Sequence, residues 1–306
     1  MSSKKHSSKI KLQDIEDEPL ETNYEPDGTC QMLMYFKECS RKMYMYSVKS
    51  NNWLVQKLDI LDPIPMYHSS CVSNDGGCFL SGGTRNGEVA LEDLFEYNGE
   101  ALSLDRLPSL NQKRMNHCLI AIDEIDCLLT VGGCDGRFPL ASVEKFSLKS
   151  SKWRPVPSLI YSRIGPKSCK FSDSIDTTCI SVIVAGGVKN LLGAPEFVPQ
   201  LEIIRIRNGK FDPQWTLINT EFQCKCINPG IDQVDHNQII IYGGDGYNNG
   251  LLKTVVYLDM QNFQSSKTDL LLPSGSEFLS NAALYEDKLF AVATRYRKFS
   301  AMVTFN

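Results

Sequence analysis

The chain has 306 residues, 42% of them hydrophobic, and a formal net charge of −4 at pH 7. That length suffices for one large domain or two ordinary ones, and the composition is typical of a folded protein in water. The charge excludes the strongly basic total that marks many nucleic-acid-binding domains, and no run of about 18 apolar residues is present to span a membrane.

The N-terminal segment is first polar and then acidic. Its opening residues, "MSSKKHSSKIKL", contain no apolar stretch as long as that of a signal peptide. Residues 13–28 carry seven acidic residues and neither Lys nor Arg, so the rest of the chain is mildly basic. Within this segment, residues 9–15 ("KIKLQDI") and residues 19–24 are predicted to form strands.

A repeated unit follows, and it is marked by apolar runs that end in a pair of glycines. Four such runs occur, and their second glycines are 50, 54 and 57 residues apart. The runs are "CFLSGG" ending at Gly83, "LLTVGG" at Gly133, "SVIVAGG" at Gly187 and "QIIIYGG" at Gly244.

An aromatic signature follows the glycine pairs. Phe146 is followed seven residues later by Trp153, and the next unit reaches Trp215 in spite of an insertion. Two further units lack the glycines: "YMYSVKSNNW" holds Tyr46 and Trp53, and "KLFAVATRYRKFSAMVTF" stands near the end of the chain. The sequence therefore predicts six units.

Each unit is predicted to consist of strands, because its runs are short, rich in Val, Ile, Phe and Tyr, and bounded by turn residues. A period near 50 residues with four short strands is typical of a propeller blade. The glycine pair followed by a spaced aromatic residue and Trp resembles the kelch repeat, over roughly residues 9–306. The resemblance implies an all-β, six-bladed kelch-type β-propeller with four-stranded antiparallel blades, in which these glycines and aromatics are structural.

The ring is predicted to close through the two ends of the chain. The last unit stops at Asn306 after its third strand, so residues 9–15 would supply the outer strand of the last blade. Closure of this kind removes an open sheet edge. Residues 1–306 then form a single propeller domain, and the acidic segment 13–28 includes the inner strand of the first blade.

The loops after the second strands and the loops before the first strands lie on one face of such a propeller. In kelch proteins that recruit partners, similar positions contact a peptide or protein. Arg suits this role because its planar fork grips carboxylates, and Tyr because it offers a rigid contact area. The predicted partner-binding residues are Arg85, Asn86, Arg114, Asn116, Arg137, Arg163, Lys189, Asn190, Tyr247, Arg295 and Tyr296. The alternative is that they are ordinary solvated loop residues.

The longest insertion, "VKNLLGAPEFVPQ" at residues 188–200, is apolar for a loop that should be exposed. Long loops on a rigid scaffold often carry function, and an apolar loop can bind a partner. It can equally fold back over its own blade, and the sequence leaves both interpretations open.

Cysteines recur early in successive units, as Cys71, Cys118, Cys169 and Cys226. Small apolar residues in crowded inner strands explain this pattern better than a metal site does. No C-x-x-C zinc spacing, phosphate-binding loop or nucleophile motif occurs, so no metal, cofactor or catalytic residue is predicted. Eleven cysteines, an odd number without a secretion signal, fit a reducing compartment.

The sequence thus predicts a non-catalytic interaction module or scaffold that binds a protein or peptide, with an acidic partner suited to the Arg-rich face. Nucleic acid and membrane are not expected partners, and membership of a larger assembly is expected. The expected location is the cytoplasm, with the cytoskeleton and nucleus as alternatives. The alternative functions are an enzyme with a pocket at the channel mouth and the substrate-recognition subunit of a ubiquitin ligase that acts with a separate adaptor.

Overall fold

The computed structural model describes residues 32–47, 52–172, 178–190, 192–267 and 272, together with the backbone of 277–278, 283–285, 288–295 and 298–305. Apart from two single turns of 3₁₀ helix at Asp123–Ile125 and Tyr247–Asn249, every regular element in these ranges is a β-strand. The all-β prediction is confirmed.

The strands form antiparallel sheets that follow one another along the chain. Blade 1 contains β1 (Met32–Phe36), β2 (Lys42–Ser47) and β3 (Asn52–Lys57). Blade 2 contains β4 (Ser69–Val72), β5 (Cys78–Ser81), β6 (Leu94–Asn98) and β7 (Ser103–Leu107). Blade 3 contains β8 (Cys118–Ile122), β9 (Cys127–Val131), β10 (Val143–Ser147) and β11 (Lys152–Val156).

Blade 4 contains β12 (Lys167–Ser172), β13 (Cys179–Ala185), β14 (Glu202–Arg207), β15 (Lys210–Phe211) and β16 (Thr216–Leu217), the last two both pairing with β14. Blade 5 contains β17 (Gly230–Gln233), β18 (Gln238–Tyr242), β19 (Val255–Asp259) and β20 (Ser265–Lys267). A C-terminal sheet contains β21 (Glu277–Phe278), β22 (Ala283–Tyr285), β23 (Lys288–Arg295) and β24 (Lys298–Phe305).

Within the described residues the structure shows five blades rather than the predicted six. In blades 1 to 5 each strand pairs with the next one along the chain, except that both β15 and β16 pair with β14. The C-terminal sheet departs from that order, because β23 pairs with β21, β22 and β24. The closing strand predicted at residues 9–15 and the acidic segment 13–28 lie outside the described residues.

The hydrophobic core lies between consecutive blades, as propeller packing requires. One cluster joins Ile120 and Leu129 of blade 3 to Val182 and Ile204 of blade 4. Other clusters join blades 1 and 2, blades 2 and 3, and blades 4 and 5. The first strands β4, β8, β12 and β17 are successive neighbours, so they form the inner layer of the ring.

The glycine pairs stand where neighbouring blades come closest. Gly133 has a φ of +93°, and a Cβ there would lie 2.6 Å from the carbonyl oxygen of Met115. Its N–H donates to the carbonyl of Arg163 in the loop that leads to the next blade (2.7 Å). Only glycine meets both the backbone angle and the close approach, so the structural role predicted for the pair is confirmed.

The aromatic signature fills the wedge between blades. The rings of Phe146 and Trp153 lie 5.1 Å apart, and the indole N–H of Trp153 donates to the carbonyl of Pro108 (2.8 Å). Trp215 repeats the contact one blade later, with Pro157 (2.8 Å). Trp153 and Trp215 therefore each tie their own blade to the segment that arrives from the preceding blade.

Three of the four repeated cysteines lie in inner strands, as predicted. Cys71, Cys118 and Cys169 are buried in β4, β8 and β12. Cys226 differs, because it lies in the loop before β17, where its Sγ is 3.5 Å from that of Cys224.

Candidate partner-binding face

Two sets of loops share one end of the blades, and together they are called the loop face. The tip loops follow β1, β5, β9, β13 and β18 and comprise residues 37–41, 84–90, 134–140, 188–190 with 192–197, and 245–251. The entry loops precede the first strands and comprise residues 58–68, 108–117, 157–166 and 219–229. Single antiparallel bridges join the two sets in blades 2 to 5, for example Met115 with Cys134 in blade 3.

The entry loops are linked to one another by backbone hydrogen bonds. The N–H of Asn116 donates to the carbonyl of Tyr67, that of Gly165 to Asn116, and that of Asn228 to Gly165, over 2.8–2.9 Å. All four residues have a φ between +49° and +67°. Asn116, predicted as a contact residue, is thus first a link in this chain of bonds from blade 2 to blade 5.

Exposed apolar side chains occupy the tips of four successive tip loops. They are Val89 (53% exposed), Phe138 (65%), Leu192 (88%) and Tyr247 (53%). Exposed apolar residues gathered on one surface mark interaction sites. Tyr247 was predicted, and the sequence marked Leu192 as an apolar insertion residue, whereas Val89 and Phe138 were missed. In the sequence, each of these two residues is an apolar residue in a turn that also contains Gly and either Asn or Asp.

Arg137 stands beside Phe138 and is exposed, as predicted. Asp135 shapes this loop, because its Oδ1 accepts hydrogen bonds from the N–H groups of Arg137 and Phe138 (2.8 Å each). Partial burial alone would raise the pKa of Asp135, but these two hydrogen bonds to its charged form hold the pKa below its usual value. The loop therefore presents a cation and an aromatic ring side by side.

Arg85 lies near an acidic residue of the entry loop of its own blade. Its Nη2 is 3.1 Å from Oδ2 of Asp62, and its Nη1 donates to the carbonyl of Pro63 (3.2 Å). Both charged side chains are largely solvent-accessible, and an exposed pair of this kind contributes little free energy. A partner that draws Arg85 away from Asp62 therefore gives up little free energy.

The predicted contacts Asn86 and Asn190 mainly shape their own loops. The Oδ1 of Asn86 accepts from the N–H groups of Glu88 and Val89 (3.0 Å each). Asn190 accepts from the N–H of Glu196 (2.8 Å) and donates to two backbone carbonyls. Such side-chain-to-backbone bonds replace the ladder bonds that a loop lacks.

Lys189 and part of the apolar insertion fold back on the protein. The Nζ of Lys189 is 3.2 Å from Glu196 Oε1 and 4.9 Å from the ring centre of Tyr161. Val198 is fully buried, and Phe197 packs against a small core cluster, whereas Leu192 is exposed. The insertion therefore combines the two interpretations: its second half packs on the blade and its tip is presented to solvent.

Arg114 and Arg163 were predicted as exposed contacts, and the structure corrects this. Both side chains have no exposed surface, and their guanidinium groups lie 2.6 Å from Glu144 and 2.9 Å from Glu202. Arg114 also donates to the carbonyl of Gly132 (2.8 Å), and Arg163 to that of Gly186 (2.8 Å). A buried Arg is normally paired and hydrogen-bonded in this way, so both belong to the architecture of blades 3 and 4.

The last two predicted contacts lie at the C-terminal sheet. Arg295 is the final residue of β23, and Tyr296 lies outside the described residues. The described ranges contain no group of three or more His, Cys, Asp or Glu side chains that could hold a metal ion. No helix within the same ranges is both long and apolar enough to cross a membrane.

Comparison with known proteins agrees with the geometry. A family model described as "Kelch motif" matches residues 126–160, which contain β9, β10 and β11 of blade 3. The chain is 33% identical over 103 residues to Kelch-like protein 36 of Bos taurus, an alignment that covers 32% of this chain and 16% of that protein. The Mus musculus protein of the same name is 33% identical over 94 residues, covering 29% and 15%. The resemblance to the kelch-repeat β-propeller family is confirmed.

The segment that the family model matches contains the tip loop with Arg137 and Phe138. The aligned region spans about a sixth of the length of the kelch-like relatives. The glycine pair and Trp153, which carry the resemblance in sequence, serve the packing of the kelch blade, and the exposed residues between them form the face.

Proposed function

We propose that this kelch propeller is a non-catalytic interaction module that binds a protein or peptide partner on its loop face. The observation that carries the proposal is the row of exposed apolar side chains at the tips of four successive loops, with Arg137 beside Phe138. Aromatic residues and Arg are enriched at the centres of protein interfaces. The blades beneath hold these loops rigidly, so little ordering entropy is lost on binding.

We further propose that the partner presents acidic groups. Arg85 and Arg137 are accessible cations on this face, and the planar guanidinium group can accept a carboxylate in a bidentate geometry. An acidic partner predicts that binding weakens as salt is raised, because exposed charges are screened. A partner whose binding to the wild-type chain is unaffected by salt would contradict the acidic character while leaving the face assignment intact.

The test compares matched variants of the full chain in affinity purification with quantitative mass spectrometry. The double variant R137A/F138S removes the cation and the ring from one tip loop. The control K149A/L217S removes an exposed cation and an exposed apolar side chain elsewhere, at the end of the blade opposite the tip loops and on an outer strand. We expect the R137A/F138S variant to lose at least about tenfold of a specific partner, as hot-spot truncation does, and the control to retain it. Full retention by R137A/F138S would refute the loop-face assignment.

We also propose that the ring is closed through the two ends of the chain, with residues 9–15 as the outer strand of the C-terminal sheet. In support, β1 of blade 1 lies against β23 of that sheet, so the two ends of the blade series are neighbours. Deletion of residues 1–15 should then clearly lower the melting temperature. An unchanged melting temperature would contradict the closure.

For the cellular location we propose the cytoplasm. The ten cysteines in the described part of the chain are free, and most are buried. Free thiols in this number fit a reducing compartment. Fractionation of cells that express a tagged full chain tests this, and recovery of the chain from the secretory pathway would refute it.

A further inference from the structure

A cavity of about 300 Å³ lies between the entry loop of blade 2 and the strands of that blade. Its walls are mainly apolar and are formed by Ile60, Ile64, Pro65, Leu80, Phe95 and Leu104. Three charged residues also line it, namely Asp59, Asp62 and Arg85. The volume is that of a small ligand-binding pocket and exceeds the space of a single aliphatic side chain.

The cavity coincides with a change in the repeat. The buried pairs Arg114–Glu144 and Arg163–Glu202 stand at equivalent positions of blades 3 and 4. In blade 2 the bridge of Met66 with Thr84 and the pairing of Ser81 with Leu94 place Pro65 and Phe95 at those positions. Blade 2 has therefore replaced both members of the ion pair with apolar residues, and both line the cavity.

The same change releases the entry loop from the blade. In blade 3 the carboxylate of Glu144 accepts from the backbone N–H groups of Asn111 and Gln112, which draws the entry loop against the third strand. The equivalent residues of blade 2 are Asp62 and Pro63, and proline has no N–H to donate. Phe95 offers no carboxylate either, so this tether is absent.

The entry loop of blade 2 is also longer than its counterparts. Leu58, Leu110 and Leu159 each donate their N–H to the preceding blade and are buried. Seven positions separate Leu58 from Pro65, whereas four separate Leu110 from Arg114, and Leu61 in the longer loop is 90% exposed. Its loop is held toward blade 1 instead, because Arg41 donates to the carbonyl of Leu61 and Cys39 N–H to that of Ile64 (2.9 Å). The space that the repeat normally closes is thus left open in blade 2.

The charges at the cavity indicate the occupant. Arg85 is paired with Asp62 at 3.1 Å, while Asp59 forms no ion pair within the described residues. Among the residues that line the cavity, the acids exceed the bases by one. An apolar chamber with an unbalanced carboxylate at its edge complements an apolar side chain that is followed by a cation.

We infer that this cavity is a binding site for a partner segment that inserts an aliphatic or aromatic side chain and places an adjacent Lys or Arg on Asp59. The inference rests on the proposed function in taking a protein segment as its ligand. Its residues differ from Arg137 and Phe138, so the two proposals can fail separately.

The test uses a phage-displayed library of random linear peptides, selected against the immobilised full chain. The winning peptides are synthesised, and their binding to variants is measured by fluorescence anisotropy. Ser103→Phe fills the cavity from the outer strand, Asp59→Lys reverses the edge charge, and Glu100→Lys is a charge-matched control in an exposed turn of the same blade.

We expect the winning peptides to share an apolar residue next to Lys or Arg. Binding should fall at least about tenfold with S103F or D59K and stay within about twofold with E100K and with R137A/F138S. Peptides that still bind S103F, a selection that enriches no motif, or a motif that is indifferent to D59K would each overturn the inference. If R137A/F138S loses the natural partner while the selected peptides bind S103F and D59K as tightly as the wild type, the proposed function stands and the cavity inference falls.

Discussion

The guanidinium group of Arg163 and the carboxylate of Glu202 form an ion pair in which both side chains are fully buried, 2.9 Å apart. Burial lowers the pKa of Arg163, and the adjacent Glu202 opposes that shift. The same arrangement, Arg114 with Glu144, occurs one blade earlier. In blade 5 the equivalent positions hold Cys226 and Val256, so both members of the pair are present together or replaced together.

Arg163→Met leaves Glu202 buried without its cation. Because removal of one partner exposes the full desolvation cost of the other, we expect a loss of about 3–5 kcal/mol in the free energy of unfolding, measured by urea denaturation. The double variant R163C/E202V, which copies blade 5, should lose less than the sum of its two single variants. As a control, R207A breaks the partly exposed pair with Asp212 and should lose about 0–1 kcal/mol. Additive losses in the double variant would contradict the coupling.

Trp215→Phe tests the tether between blades 3 and 4. The substitution keeps an aromatic ring but removes the N–H that donates to Pro157, and it leaves a partly buried carbonyl without this donor, so we expect a loss of about 1–3 kcal/mol. Trp53→Phe is the matched control, because Trp53 Nε1 has no hydrogen-bond partner in the described part of the structure. Thermal or chemical unfolding of the two variants should differ by about the worth of one hydrogen bond. Equal losses would show that the tether contributes nothing.

Gly136→Ala tests whether neighbouring tip loops support one another. A Cβ at Gly136, where φ is +100°, would overlap the carbonyl oxygen of Glu88 in the preceding tip loop. Gly87 has a φ of +82° and open space around it, so Gly87→Ala carries the backbone strain alone. We expect G136A to lower stability by about 1–3 kcal/mol more than G87A, since the neighbouring backbone must move. Similar melting temperatures for the two variants would show that the loops are independent.

His68 predicts a pH dependence of stability. Its side chain is buried at the blade interface, and burial lowers its pKa from 6.5 to about 4, although its hydrogen bond with the carbonyl of Pro65 opposes the shift. Because the unfolded chain binds the proton more readily, this contribution is complete above about pH 6.5 and is lost as the pH falls toward 4. His68→Asn should therefore flatten the decline in unfolding free energy between pH 7 and pH 5.

Burial also lowers the pKa of His117, well below its usual value. Part of the decline in unfolding free energy at low pH should therefore remain in His68→Asn, and it should become smaller when His117 is replaced as well. His236→Asn, at an exposed loop position, is the control and should leave the slope unchanged. A slope that persists in the double His variant would show that carboxylates dominate this pH range.

The repeat itself was readable from the sequence, because its glycines and tryptophans are required by backbone geometry and by wedge packing. The glycine pair at Gly133 and the wedge residue Trp153 both have the structural roles that the sequence predicted. The prediction of six blades was wrong for the described residues, because the C-terminal sheet departs from the order of strands that the repeat implies.

The candidate face was only partly predictable. Periodicity places a residue in a loop but does not give the direction of its side chain, so Arg137 and the buried Arg163 appeared equivalent. The carboxylate that distinguishes them, Glu202, is 39 positions away along the chain. Likewise, Phe138 appears in the sequence only as an apolar residue in a turn, and that signal does not give its 65% exposure.

The backbone bonds that run from Tyr67 through Asn116 and Gly165 to Asn228 involve no side-chain atoms. They link four successive entry loops whatever side chains these residues carry, provided that each residue can adopt a left-handed φ. Substitutions in the neighbouring tip loops therefore leave this series of bonds intact. The propeller can thus acquire a new binding preference by point substitution while the backbone that supports its loops stays the same.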